Sequence, residues 1–363
     1  MQGEVSKRYQ LSPFLFFFLL YISVVDVGVL WFQRNLLNHA GVDSWISVGI
    51  TGISLHLIVW MIYKILDAAG NDKADLVAIN RICLGPIVGK ILDFIVHLYF
   101  LLGAMVMFRS YLSVVQVWLF PTLPIWPVSL TLLILMYYTV RGGLRSVCGL
   151  SFWGVWASIL CTLPLLFMFY SYLHPLYLTP VWNHSVIEIL LSSKSMVLQY
   201  LGIESIFVVY PFLHAPAKSQ KWAHLALLTG TFIYVVVTLI TFMFFSENQL
   251  KELIFPTLHI FQVFQIPFFQ RIEYLVISIF LISVAANISF SLWMACRMVK
   301  RSLNIKQHLC LLIYLLLFFL SSILIKDYDR LQPYIQIYAS AGFYFLYLYV
   351  PILFVWIQFR NKR

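Results

Sequence analysis

Four ionisable residues stand inside long apolar stretches of this 363-residue chain: Asp26, Arg109, Glu204 and Glu273. A charge near the centre of a membrane helix costs about 2.5–3.5 kcal/mol on insertion scales, so such residues face a protein interior and often mark a ligand or ion route. Asp26 lies in Ser23-Val24-Val25-Asp26-Val27-Gly28, and Glu204 in Tyr200-Leu201-Gly202-Ile203-Glu204-Ser205, with Pro211 beyond. Glycine weakens a helix by about 1 kcal/mol relative to alanine, so an acid beside a glycine predicts an interrupted helix at both places. Unwound backbone at membrane depth persists only where it is buried in protein or lines a cavity. Freed amide N–H groups there attract an anionic group, and freed carbonyls attract a cation. A zwitterionic amino acid suits both, and Asp26 and Glu204 add partners for an ammonium or for protons. A lone buried arginine is expensive, whereas one bonded to a carboxylate is tolerable. Arg109 is therefore expected to bond Asp26 or Glu204, either as a pair that locks helices or as part of a site. Glu273 follows Arg271 and reads equally as an interfacial charge within snorkelling reach. His56 and His97 are first of all hydrogen-bonded packing residues.

The elements that must position these residues are membrane spans. The chain is 62% hydrophobic, 17% aromatic and 10% charged, with a mean hydropathy of +0.90. Soluble domains run near 45–50% apolar and about 25% charged, so a cytosolic enzyme, a disordered chain and a secreted disulfide scaffold are excluded. About ten stretches are long enough to cross a bilayer, near 11–32, 44–66, 87–119, 125–140, 147–173, 196–214, 222–245, 271–299, 308–326 and 334–358. The first is read as a retained helix, because it exceeds the length of a signal h-region and no A-x-A-like site follows. With the N-terminus in the cytoplasm, seventeen Lys and Arg fall on the inner side and six on the outer, which orients both termini inward. The net charge of +10 is thus a topology signal, with no basic stripe that would suit a nucleic acid. Five cysteines without a C-x-x-C support neither a zinc site nor a disulfide framework. No soluble domain is expected; residues 1–363 read as one integral membrane domain. Residues 174–195 read as a structured outer cap. In 246–270, Leu250, Leu253, Ile254, Leu258 and Phe261 at helical spacing suggest a helix lying in the outer interface.

The two interruptions fall in the first and sixth of ten spans, the same place in two halves of five. Paired interrupted spans point to a transporter-like binding site. Polar residues of the eighth span, Ser283, Asn287 and Ser289, are positioned to face the same cavity.

At these residues the sequence resembles the multi-pass B subunit of bacterial spore germinant receptors, the GerAB type. The markers are Leu201-Gly202-Ile203-Glu204 followed by Tyr210-Pro211-Phe212, and Arg271-Ile272-Glu273-Tyr274 followed by Ile277-Ser278-Ile279-Phe280. The short basic N-terminus ahead of the first span also matches. The resemblance covers nearly the whole chain and implies an all-α polytopic membrane protein of the amino acid–polyamine–organocation superfamily. That fold is a five-plus-five inverted repeat, LeuT-like, with discontinuous helices 1 and 6; the repeats would span about 11–173 and 196–358. It also implies a place in the inner membrane of the spore, an A-type receptor subunit and a C-type lipoprotein as partners, and a small nutrient such as an amino acid as ligand. Binding would trigger germination, with ion release. Carried onto this chain, the nutrient pocket comprises Asp26, Val27 and Gly28, Gly103 and Val106, Leu201, Gly202, Ile203 and Glu204, and Asn287. Amino-acid transporters of the superfamily tend to carry a glycine-rich first break, and here Gly28 stands beside Asp26 instead. No cofactor, metal or catalytic residue is expected. The alternative is an amino acid or amine permease of the same superfamily.

Overall fold

Helices that are apolar on every face are stable only in lipid or deep within a protein, and most helices of this chain are of that kind. The computed structural model describes residues 10–69, 75–167, 170–263, 271–325 and 327–361. Lys7, Arg8, Lys73, Lys326, Lys362 and Arg363, all used for the expected orientation, lie outside them, as do residues 264–270 of the expected interfacial helix.

The architecture is all-helical and multi-pass. The first span is α1 (Pro13–Val24), a 3₁₀ turn (Val27–Leu30) and α2 (Phe32–Ala40). Then come α3 (Ser44–Ala68), α4 (Leu76–Trp118), α5 (Trp126–Arg141) and α6 (Leu144–Phe167). The second half holds α7 (Val186–Met196), α8 (Ile206–Val209), α9 (Gln220–Phe244), α10 (Glu247–Glu252), α11 (Pro256–Val263), α12 (Ile272–Leu303), α13 (Gln307–Leu324), α14 (Tyr328–Tyr344) and α15 (Val350–Asn361). A π-helical turn over Phe345–Tyr349 joins α14 to α15. Among the described residues, seven helical stretches are long and apolar enough to cross a membrane, and a bent pair, Val186–Tyr200 with Ile203–Phe212 at 47°, makes an eighth. The remaining two of the ten expected spans fall short as continuous helices: α1 stops after 12 residues and α5 after 16.

The core is built around α12, whose 32 residues reach roughly 48 Å at about 1.5 Å each. Residues 283–296 are buried on every face, against α4, α6 and α1. α4 is kinked where Gly85 takes φ +79 and Pro86 follows, since proline offers no N–H to the preceding turn. Asp75 caps the start of α4 through the Ala78 amide at 2.9 Å. It also receives two bonds from Arg301 at 2.6 and 3.1 Å, which fastens that end of α4 to the end of α12.

Two boundaries differ from the expectation. The sixth span begins ten residues earlier than its apolar run, at Val186, because Ser185 and Glu188 form a capping box that starts a helix within the expected cap. The interfacial helix is instead two short helices, α10 and α11, broken near Leu253. Their apolar faces are buried in the protein, with Leu250 and Leu258 at 0% exposure, because α11 packs on α9, α12 and the 3₁₀ turn after Asp26.

The second leg of the first broken span, α2, and the first leg of the sixth, α7, pack on each other. Ser192 bonds the Leu36 carbonyl at 3.3 Å, Ser47 the Ile189 carbonyl at 2.9 Å, and Thr51 the Ser193 carbonyl at 3.0 Å. At the corner between α2 and α3, Asp43 gathers the amides of Trp182, Asn183 and His184 at 2.7–3.1 Å, and the His184 ring at 3.0 Å. Burial opposes the Asp43 carboxylate, but the His184 ring and the three amides outweigh it and hold its pKa below the usual carboxylate range. A depressed carboxylate pKa stabilises the fold above the unfolded value of about 3.9, and this stabilisation is lost as pH falls through the lower folded value. Asp43→Ala therefore strands three amides and is expected to cost about 1–3 kcal/mol, read as a lower unfolding temperature of the detergent-purified protein at pH 7. The difference from wild type should shrink as pH falls below the unfolded carboxylate value of about 3.9 and through the lower folded value of Asp43.

Candidate functional site

α1 ends because Val25 and Asp26 are extended, with φ −102 and −126. The Asp26 side chain then turns back to accept the Gly28 amide at 2.8 Å, capping the 3₁₀ turn that follows. The second break is built from the other side. Leu201 is extended, Gly202 sits at φ +122, and the Glu204 carboxylate folds back onto the Gly202 amide at 2.9 Å. Each break thus places a carboxylate two residues from a glycine and satisfies that glycine's N–H with it.

The two breaks lie against each other. A methyl group on Gly28 would overlap the Gln199 amide oxygen, and one on Gly202 would stand 2.6 Å from the Ser23 carbonyl. Carbonyls freed by the unwinding meet one side chain. The Tyr234 hydroxyl of α9 donates toward the Val24 carbonyl at 2.8 Å and the Gln199 carbonyl at 3.3 Å. Farther along, the Val29 carbonyl accepts Thr257 of α11 at 2.9 Å. Lone backbone groups at this depth would be costly, and these contacts answer most of that cost.

Between the breaks, α4 and α14 lies a cavity of about 20 Å³, room for about one water. Asp26, Val27 and Gly28 line it on one side, Val106 and Ser110 on another, and Gln199, Trp31 and Tyr338 close it. Tyr338 stacks on Tyr99 at 5.1 Å, and the Tyr99 hydroxyl donates to Glu204 at 2.6 Å. Glu204 is therefore one layer behind the wall. Asn287 donates to the second oxygen of Asp26 at 3.4 Å, while Ser283 turns away to the Gly154 carbonyl at 2.6 Å.

Of the residues expected in the pocket, Asp26, Val27, Gly28 and Val106 line the cavity and Asn287 touches Asp26. Gly103 supports it from behind, where a Cβ would press on the Tyr338 ring at 2.7 Å. Leu201 packs on Gly342, and Ile203 is wholly buried; neither faces the cavity. The expected bond from Arg109 to Asp26 or Glu204 is not formed. Arg109 is fully buried and donates to the Ile325 carbonyl at the end of α13. Successive helix residues are rotated by about 100°, so with Val106 and Ser110 facing the cavity the Arg109 guanidinium is turned toward α13. Its Nε and one terminal nitrogen have no hydrogen-bond partner among the described residues. His56 meets His224 at 2.8 Å, His97 bonds Ala295 and Tyr314, and Glu273 pairs with Arg271 at 2.8 Å. Sequence reasoning missed Trp31, Gln199, Ser110, Tyr338 and Tyr234. Gln199 and Ser110 carried a signal, as polar groups within a turn of Gly202 and Val106.

The spore germination protein family model matches residues 10–330. The chain is 34% identical to the spore germination protein GerQB of Bacillus cereus over 358 residues, 97% of each. It is 24% identical to spore germination protein B2 of Bacillus subtilis (strain 168) over 69% of this chain and 68% of that one. Among solved structures, a substrate-bound, outward-open Na+-coupled sialic acid symporter superposes with a TM-score of 0.64 at 12% identity, covering 96% of this chain and 81% of its own. Mhp1, a nucleobase-cation-symport-1 family transporter in a closed conformation, gives 0.59 at 14% identity, covering 93% and 77%. The fold is LeuT-like, and the discontinuous first and sixth spans expected from sequence are part of it.

Two outcomes follow from the geometry. Gly202→Ala forces a side chain into a positive-φ conformation, costing about 1–3 kcal/mol, and presses on the Ser23 backbone; its unfolding temperature should drop, while Gly149→Ala, which meets open space, leaves it unchanged. Arg109→Met removes a buried charge that forms no ion pair among the described residues and that Asp327 offsets only from a distance, and exchanging such a charge for an apolar side chain is often neutral or stabilising. Its unfolding temperature should equal or exceed that of wild type, and a clear decrease would mean the guanidinium has a stabilising partner.

Proposed function

The chain belongs to the spore germination protein family, and on that premise we propose that it is the membrane-embedded, germinant-binding subunit of a spore germinant receptor. It sits in the inner membrane of the spore with both termini in the cytoplasm. It binds a small nutrient, works with an A-type subunit and a C-type lipoprotein, and acts by binding rather than by catalysis. The observation that carries this reading is the pair of interrupted helices meeting at one small polar chamber. Proteins of this fold bind their ligands at such breaks.

A cavity of about 20 Å³ holds a water and no nutrient, so binding requires the chamber to open. A ligand shifts a protein between two states only through unequal affinity for them. The nutrient selects an arrangement in which the broken spans stand farther apart at Gly28 and Gln199, and that displacement is passed to a partner subunit. The transporter fold supports a second reading, a permease for small amines or amino acids, which predicts uptake of label into vesicles holding this chain alone.

Spores lacking this chain should lose the response to at least one nutrient of a broad panel, followed by the fall in optical density; unaltered responses throughout would overturn the receptor reading. Gly28→Leu drives a side chain against the Gln199 amide where the breaks meet. It is expected to abolish the same response at an unchanged level of the protein in spore membranes, measured by immunoblot. Normal sensitivity would remove the chamber from the mechanism.

A further inference from the structure

We infer that the nutrient received by this chamber carries no carboxylate: it is a neutral or cationic molecule that offers N–H or O–H donors to Asp26. The inference rests on the chamber being the nutrient site and goes beyond that reading to the chemistry of what enters.

A free carboxylate would need unclaimed donors or a cation, and the chamber offers it neither pattern. The Gly28 amide is taken by Asp26 at 2.8 Å and the Gly202 amide by Glu204 at 2.9 Å. The protein thus supplies its own anion at each position where the unwound backbone would hold one. A second carboxylate brought to the Gly28 amide would compete with Asp26 for its one N–H. No cation compensates: among the residues lining the cavity, Asp26 is the charged one. Arg109, one residue from Ser110, is directed to the Ile325 carbonyl.

What the wall leaves open is complementary to a different ligand. Among the described residues, the second oxygen of Asp26 has the long 3.4 Å contact from Asn287, whose own side-chain oxygen has no partner. Both are acceptors. Trp31 and Ser110 also line the cavity and are 5% and 2% exposed, and the Trp31 indole N–H and the Ser110 hydroxyl have no hydrogen-bond partner among the described residues. Buried polar groups left unpaired are costly, so the site gains most from a guest that answers both sets. Such a guest places an amine, amide or hydroxyl hydrogen on Asp26 and a neutral oxygen or nitrogen acceptor on Trp31 and Ser110. The rings of Trp31 and Tyr338 supply the apolar walls common to small-molecule sites.

The test uses spores in which this receptor is the sole germinant receptor, challenged with two pools: the amino acids with free carboxylates, and a carboxylate-free pool of amines, amino-acid amides, sugars and nucleosides. A response to the second pool and not the first is expected. Asp26→Asn keeps an oxygen for the Gly28 amide and removes the charge; it should raise the half-maximal nutrient concentration at least tenfold. Trp31→Phe, which deletes an N–H that no described residue accepts, should raise it severalfold and leaves a reading if the Asp26 variant fails to accumulate. A response to the amino-acid pool, alone or beside the other, or full sensitivity in both accumulated variants, would overturn the inference while leaving the receptor reading in place. Silence toward both pools would fell the receptor reading, and this inference with it.

Discussion

Peptide groups at membrane depth have no water to bond, so a chain that unwinds there must answer each freed N–H and C=O from within itself. That constraint shapes the centre of this molecule. Two spans stop being helical at Val25 and at Leu201. Their exposed groups are met by two carboxylates on the amide side and by one tyrosine hydroxyl on the carbonyl side. The helices that frame the breaks are held by α12, a continuous buried column on which α1, α4 and α6 all pack.

The acids at the breaks therefore have a structural duty before any functional one. Asp26 caps forward onto Gly28 and Glu204 folds back onto Gly202, so similar chemistry serves two breaks of opposite local direction. Glu204 is further committed to Tyr99, whose ring forms part of an aromatic stack with Tyr338 and Phe345. Asp26 retains an oxygen toward the cavity. The two carboxylates, equivalent in sequence pattern, are thus unequal in availability: one is a wall strut and the other faces the space.

Much of the fold was legible because lipid imposes strong rules on composition and length. The breaks could be read where glycine meets an acid, although for different reasons. Gly202 needs its positive φ, whereas Gly28 needs only the absence of a side chain against Gln199. Other features left no distinctive mark. In a chain that is 17% aromatic, Trp31 and Tyr338 look like any other membrane aromatics. The start of the sixth span was hidden by Ser192, Ser193 and Lys194, which read as loop until one sees the serines bonding carbonyls. The partner of Arg109 was misread because hydropathy gives the depth of a residue and not the rotation of its helix; a single step of about 100° separates it from Ser110.

The way the broken spans are tied decides how many independent movements they have. The second leg of the first and the first leg of the sixth are bonded together, since Asp43 binds residues 182–184 and the serines of α7 grip α2 and α3. Their remaining legs are also joined. Leu11, ahead of α1, exchanges backbone bonds with Phe212 and His214 at 2.7 and 2.9 Å, and Gly202 abuts Ser23. The four legs are thus tied in two pairs, and Tyr234 bridges the pairs through the Val24 and Gln199 carbonyls, so no leg can shift without breaking a bond to its fellow or to that hydroxyl.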